Sequence, residues 1–389
     1  MQSAPATGDG VIEGDGVITG DIGRTLAEMS FGCPPAVTRA LFSALERGEL
    51  GYIGENDVAR LQTAVAEWLD TSYDWRPRSE EIRPVSDLVG GFRAVLTHFL
   101  PEGAPIIVPT PGYMPFTTMP NQMNRPVIEV PMIREGGAWR YDFAGIRRAF
   151  AAGARLLVLC NPHNPIGKVA TPSELDEIEH IVAEHDGLVF SDEIHAPLIL
   201  GAAPHQVYAA RSARAAAHTI TATSASKAFN IPGVKCGQLV FSNPDHLAHW
   251  QSIGHWYEHQ TSVLGVVATE AAYSFGRPWL TETIDYLRQT VADTAATIEQ
   301  SAEQTGLQII RPDATYLLWI DLNDSGLLRA EQSAAQTVYD AAKLVVTDGA
   351  GCGVAGRGFI RFNAAIPHPH AREAMRRLER AAILTGAAR

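Results

Sequence analysis

His218-Thr219-Ile220-Thr221-Ala222-Thr223-Ser224-Ala225-Ser226-Lys227-Ala228-Phe229-Asn230 begins as a buried strand and breaks off in a small, polar turn. The run from His218 to Ala222 is short, β-branched and apolar, which suits a strand covered on both faces. Similar runs precede it at Pro105–Val108, Arg155–Cys160 and Leu188–Phe190, and another follows at Gln238–Phe241. An amphipathic stretch, Ser173–His185, lies between two of them. It starts at Thr171-Pro172-Ser173-Glu174, where a capping hydroxyl, an early proline and a first-turn acid mark a helix N-terminus. Strands alternating with helices predict an α/β sheet with helices on both faces. Ligands in such sheets bind outside the carboxyl ends of the strands.

Three turns therefore stand where a ligand would sit. They are Cys160-Asn161-Pro162-His163-Asn164-Pro165-Ile166-Gly167, Ser191-Asp192-Glu193-Ile194-His195, and the turn holding Lys227. The two prolines of the first remove ladder donors, so its strand must stop. A fourth segment, Ser86-Asp87-Leu88-Val89-Gly90-Gly91, opens a helix whose free amides suit a phosphate. Taken singly, a lysine after a serine-rich turn is a solvated side chain and an aspartate beyond a strand is a cap. Taken together they offer an amine, a carboxylate and an anion cup, which is the set a pyridoxal phosphate (PLP) cofactor requires.

Outward from this centre the chain changes character. The first residues carry a near-repeat, Gly8-Asp9-Gly10-Val11-Ile12 and Gly14-Asp15-Gly16-Val17-Ile18, which reads as a flexible arm over 1–24 without chemistry. Helices are predicted from Pro35 through Leu45 and from Asn56 to Leu69. A long helical stretch is predicted over about 246–305, then strands at Thr315–Leu322 and Gly358–Asn363 and a closing helix after Pro369. These place a large unit at 51–270 and a small α+β unit at 25–50 with 271–389.

With 31 Lys and Arg against 43 Asp and Glu, the formal charge is −12, so nucleic acid is not an expected partner. The four cysteines show no metal-ligand spacing, and no metal is expected. No membrane-length apolar run and no signal-peptide pattern is visible, so the expected location is the cytoplasm.

On these motifs the sequence resembles the fold-type I PLP enzymes of the class I/II aminotransferase group, from about residue 28 to the end. The resemblance implies a mostly parallel seven-stranded sheet beside the smaller α+β domain. It makes Lys227 the Schiff-base lysine and Asp192 the partner of the pyridine nitrogen. Asn164 would bond the cofactor's 3-hydroxyl oxygen, with His195 close by. Tyr113, in Pro111-Gly112-Tyr113, would stack on the ring. Ser224 and the amides of Leu88 and Val89 would hold the phosphate, and Lys235 stands where the group often has a phosphate-binding arginine. Asp87 replaces a common glycine. Tyr52 would reach the neighbouring subunit's phosphate, which implies a homodimer with shared sites. Arg361 would clamp the substrate carboxylate, a task suited to a planar fork.

Met29-Ser30-Phe31, Lys227-Ala228-Phe229-Asn230-Ile231-Pro232-Gly233, Gly276-Arg277-Pro278-Trp279-Leu280 and Thr315-Tyr316-Leu317-Leu318-Trp319 are similar to the bacterial cystathionine β-lyase branch. That branch implies carbon–sulfur cleavage of a cysteine S-conjugate. An aminotransferase, or a decarboxylating or oxidative variant on an amino acid, is the alternative; a PLP-binding regulatory protein is a third reading. His163 and His195 also read as satisfied polar residues. The cluster His255, Trp256, Tyr257 and His259 reads equally as a wall of the site or as a face packed on a second subunit.

Overall fold

A computed structural model describes residues 7–12 and 17–386. Its centre is a seven-stranded sheet in the order Ile82–Val85, Gly237–Phe241, Thr219–Thr223, Leu188–Asp192, Leu156–Cys160, Ile106–Thr110, Val127–Pro131. Only Gly237–Phe241 runs antiparallel to its neighbours. The inner strands alternate faces residue by residue, as a strand's period of two requires. Leu156 and Val158 pack beneath the helix Leu88–His98, while Leu157 and Leu159 pack beneath Phe143–Ala151 and Pro172–Glu184. Each such leucine contributes about 1.5–3 kcal/mol by leaving water.

Register sets the site. Cys160 pairs with Asp192 and Asp192 with Ala222, so three parallel strands end level and release their turns side by side. Because Gly237–Phe241 runs the other way, its beginning lies at this same end and delivers Lys235 and Cys236 there.

Within this sheet two strands escape the sequence reading, Ile82–Val85 and Val127–Pro131, and both are edges. Pro84 argues against a strand, yet at an edge its missing N–H costs no ladder bond. The expected long helix is four, Pro244–Ile253, His255–Glu258, Val263–Phe275 and Arg277–Thr305. Gly254 and Gly276 stand at two of the breaks, and the expected division at 270/271 falls inside Val263–Phe275. Helix Pro35–Glu46 packs on Val263–Phe275.

The second unit is an antiparallel sheet, Gln308–Ile309, Leu317–Asp321, Phe359–Asn363 and Thr347–Asp348, in which Arg361 lies opposite both Trp319 and Thr347. The N-terminal reading needs correcting here. Thr7–Ile12 and Ile18–Arg24 form an antiparallel hairpin, not a flexible arm, and Ile18–Arg24 also pairs in parallel with Leu344–Val345. The start of the repeat's second copy, at 14–16, with residues 1–6 and 13, lies outside the described residues. Ile18 and Ile22 are buried, and Arg377 donates to the carbonyls of Ile18 (2.5 Å) and Gly20 (2.7 Å). What reads as loose glycine is a close approach. Gly23 has φ +119°, and a Cβ there would stand 2.2 Å from the Val345 carbonyl oxygen. Gly23→Ala is therefore expected to cost about 2–4 kcal/mol in a denaturant melt, against a few tenths for the exposed Gly51→Ser, whose Cβ would meet nothing. No helix among the described residues is long and apolar enough to cross a membrane.

Candidate active site

The level strand ends open into a cleft of about 370 Å³ between the two units. Lys227, Asp192, Asn164, His195, Tyr113, Ser224, Lys235, Leu88, Val89 and Arg361 all line it. A wider, open groove of about 590 Å³ lies between Arg134 and Arg311. Its charges are tied in ion pairs, Arg134 to Asp321 and Arg311 to Glu299, each at 2.6 Å, and it gathers none of the candidate residues.

Lys227 follows the strand Thr219–Thr223, and its Nζ donates to the Ala27 carbonyl at 2.9 Å. Burial holds the amine below the usual lysine range; Arg361 adds to this, while Glu28 and Asp192 oppose it. Asp192 is buried at the end of its own strand. One carboxyl oxygen accepts from the Ile194 amide at 3.2 Å, and the other has only the Cys160 thiol, at 3.9 Å. Burial pushes its pKa up to about 7. The adjacent Glu193 turns away from the cleft, accepting from Ser191 Oγ at 2.8 Å and pairing with His205 at 2.7 Å. His195 is buried too, and desolvation, then the charges of Lys227 and Arg361, depress it to about 3. It stands as neutral imidazole, with no hydrogen-bond partner for Nδ1.

Arg361 comes from the other unit. Its buried guanidinium donates to Asn164 Oδ1 (3.0 Å), the Thr25 carbonyl (2.8 Å) and Thr347 Oγ1 (3.2 Å). Every one of these acceptors is neutral, so a buried cation stands in the cleft without an anion among the described residues. Tyr113 sits half-buried with its ring edge-on to Phe116 at 5.5 Å, its loop held by the Gly112 amide on the Cys352 carbonyl at 2.8 Å.

The opposite end of the cleft is the N-terminus of Leu88–His98. Asp87 caps it, accepting from the Gly90 amide at 2.8 Å, and pairs with Lys235 Nζ at 3.0 Å. Burial alone would raise the Asp87 pKa, but the Gly90 amide and Lys235 outweigh it and hold the group below its usual range. Ser224 Oγ donates to the Cys236 carbonyl at 2.8 Å and accepts from the Ser226 amide at 3.1 Å.

One wall went unread in the sequence. Residues 25–28 cross the mouth, and their backbone is strapped down by side chains. The carbonyls of Leu26 and Glu28 accept from Asn363 Nδ2 at 2.9 and 2.7 Å, and Ala27 accepts from Tyr316 at 3.0 Å. Asn230, three residues beyond Lys227, grips Met29 through its amide (2.9 Å) and carbonyl (3.1 Å). Nothing local in Thr25-Leu26-Ala27-Glu28 signals this, because the donors lie some 200 to 340 positions away. Tyr52 is the one candidate outside the cleft. It is 83 % exposed and stacks on His259 at 4.7 Å. None of His255, Trp256, Tyr257 and His259 lines the cleft within this chain.

The donor set fits PLP. A buried carboxyl raised by desolvation, with one oxygen scarcely used, suits a protonated pyridine nitrogen, which would return its charge balance. The amine, the helix N-terminus and the Lys235 cation suit the aldehyde and phosphate ends. A check is available without turnover. In cofactor-free protein the Asp192 carboxyl binds its proton more tightly folded than unfolded, so the stability it contributes is lost as pH rises from about 4 to about 7, against the gain from neutral, buried His195 over the same window. In urea melts Asp192→Asn should therefore match wild type near pH 4 and become progressively more stable than it by pH 7.

Residues 23–378 match the family of class I and II aminotransferases. A cystathionine β-lyase of Corynebacterium glutamicum is 34 % identical over 356 residues, 91 % of each chain. Among solved structures, a protein of Corynebacterium diphtheriae assigned as a PLP-dependent β-cystathionase superposes with a TM-score of 0.85 at 36 % identity, covering 92 % of both chains. Cystalysin of Treponema denticola, which contains pyridoxal 5′-phosphate, gives 0.84 at 27 % identity over 92 % of this chain and 90 % of its own. A match spanning both sheets, the strap and the cleft leaves one assignment: this chain belongs to the class I and II aminotransferase family.

Proposed function

We propose that this protein is a PLP-dependent carbon–sulfur lyase that splits a cysteine S-conjugate, consuming one water, into thiol, pyruvate and ammonia. The observation that carries an amino-acid substrate is the buried Arg361 cation with only neutral acceptors, facing Lys227 across the cleft. Sulfur chemistry is supported by relatives named cystathionine β-lyase and C–S lyase over nine-tenths of the chain.

When bound, PLP supplies the electron sink that makes loss of a proton from Cα feasible. The side chains do the rest. Arg361 binds the α-carboxylate and fixes which Cα bond faces Lys227. Lys227 Nζ, its basicity lowered by burial, takes that proton and can hand it to the departing sulfur. Asp192 would keep a proton on the ring nitrogen. Asn164 and the neutral His195 would serve the cofactor's oxygen, and Tyr113 would lie against the ring. The Leu88 and Val89 amides, Ser224 and Lys235 would hold the phosphate. The strap at 25–28 forms one wall of the mouth.

The deciding experiment mixes purified protein with several cysteine S-conjugates, cystathionine included. Pyruvate, ammonia and free thiol in equal amounts are expected. A keto acid that retains the sulfur, with pyridoxamine phosphate left behind, would mean transamination and sink the lyase reading.

The proposal extends to a homodimer in the cytoplasm. Phe42, Leu50, Tyr52 and Trp256 are large apolar side chains left 64–83 % exposed, which favours cover by a second copy. All four cysteines are free, in keeping with a reducing compartment. Sedimentation velocity should give twice the 42.0 kDa chain mass, and Trp256→Glu should shift it toward one.

A further inference from the structure

We propose that Asp87 is a built-in competitor of the cofactor's phosphate, holding the affinity of this cleft for PLP below what its cationic and amide donors would otherwise give. The inference rests on the PLP reading and adds regulation to it, since a weakened phosphate cup makes occupancy follow the free cofactor supply.

The argument starts from the cup. A helix N-terminus attracts an anion through its free amides and partial positive charge. Here that terminus already carries one. Asp87 Oδ1 takes the Gly90 amide at 2.8 Å, and Oδ2 takes Lys235 Nζ at 3.0 Å. The lysine that would offset a phosphate is therefore neutralised before any phosphate arrives. The Ser224 hydroxyl proton is likewise engaged, by the Cys236 carbonyl at 2.8 Å. Capping alone does not demand the charge, because asparagine or serine would cap this helix as well. What aspartate adds is a negative charge on the wall of an anion site. The pair is partly open to water, with Asp87 40 % and Lys235 57 % exposed, so screening limits the effect to about tenfold in Kd.

The test uses cofactor-free protein titrated by absorbance with PLP and, separately, with pyridoxal, which lacks the phosphate. Asp87→Asn should lower the Kd for PLP about tenfold and leave that for pyridoxal in place. Asp87→Ser, which also caps, guards against an effect peculiar to asparagine. An unchanged or higher Kd for PLP in both variants overturns the inference, since Asp87 would then serve to position Lys235. Equal shifts for PLP and pyridoxal overturn it too, because the substitution would be acting through the fold. Wild-type protein that takes up neither compound overturns the cofactor reading itself, and this inference with it.

Discussion

Lys227→Ala is expected to lower turnover on any cysteine S-conjugate by about 10⁴-fold, and to abolish the visible absorbance of lysine-bound cofactor. Two losses combine. The side chain is the proposed attachment point, and among the described residues it is the only amine in the cleft besides the paired Lys235. General-base catalysis by a positioned side chain contributes 10²–10⁴-fold alone, and covalent attachment adds to it. Lys227→Arg keeps the charge that Ala27 and Glu28 face but cannot attach the cofactor, so it should be as inactive as alanine. Turnover within tenfold of wild type in either variant would remove Lys227 from the chemistry. Partial recovery with added small amines would separate the lost proton transfer from a misfolded cleft.

Arg361→Ala is expected to cut kcat/KM by roughly 10²–10³-fold, with the visible absorbance intact. A buried guanidinium paired to a carboxylate is worth several kcal/mol when one partner is removed, and about 3–4 kcal/mol gives that range. The loss should be specific to the carboxylate. Binding of an amino acid, followed by spectral titration, should weaken by the same factor, whereas binding of the matching amine without a carboxyl group should not. If both weaken alike, Arg361 acts through Asn164, its partner at 3.0 Å, and the carboxylate clamp lies elsewhere. Arg361→Lys should recover little, since one ammonium cannot span Asn164, the Thr25 carbonyl and a carboxylate together.

The inner strands and the turns after them were legible because both obey local rules. Leu156–Cys160 is apolar at every position, as a strand covered on both faces must be, and the prolines beyond it forbid continuation. The edge strand Ile82–Val85 was not, since Pro84 is a breaker everywhere except where no neighbour needs its N–H. The paired strands Thr7–Ile12 and Ile18–Arg24 escape the sequence for the same kind of reason. Glycines that look like disorder are required by φ angles such as +119° at Gly23, and only the partner strand Leu344–Val345 reveals this. Lys227, Asp192 and Asn164 could be placed from their turns. The strap at 25–28 could not, because its backbone acceptors carry no residue-type signature and their donors are distant in sequence. Tyr52 was placed by resemblance alone, and within one chain it stays outside the cleft.

The strap has a practical side. Asn230 holds it from the turn of Lys227 and Asn363 from the strand of Arg361, while its upstream end runs straight into the hairpin. Shortening the chain at its front, or fusing a bulky tag there, is thus not the harmless edit it would be on a free tail. Whoever trims these residues to aid crystallisation or expression is pulling on the doorframe of the reaction chamber.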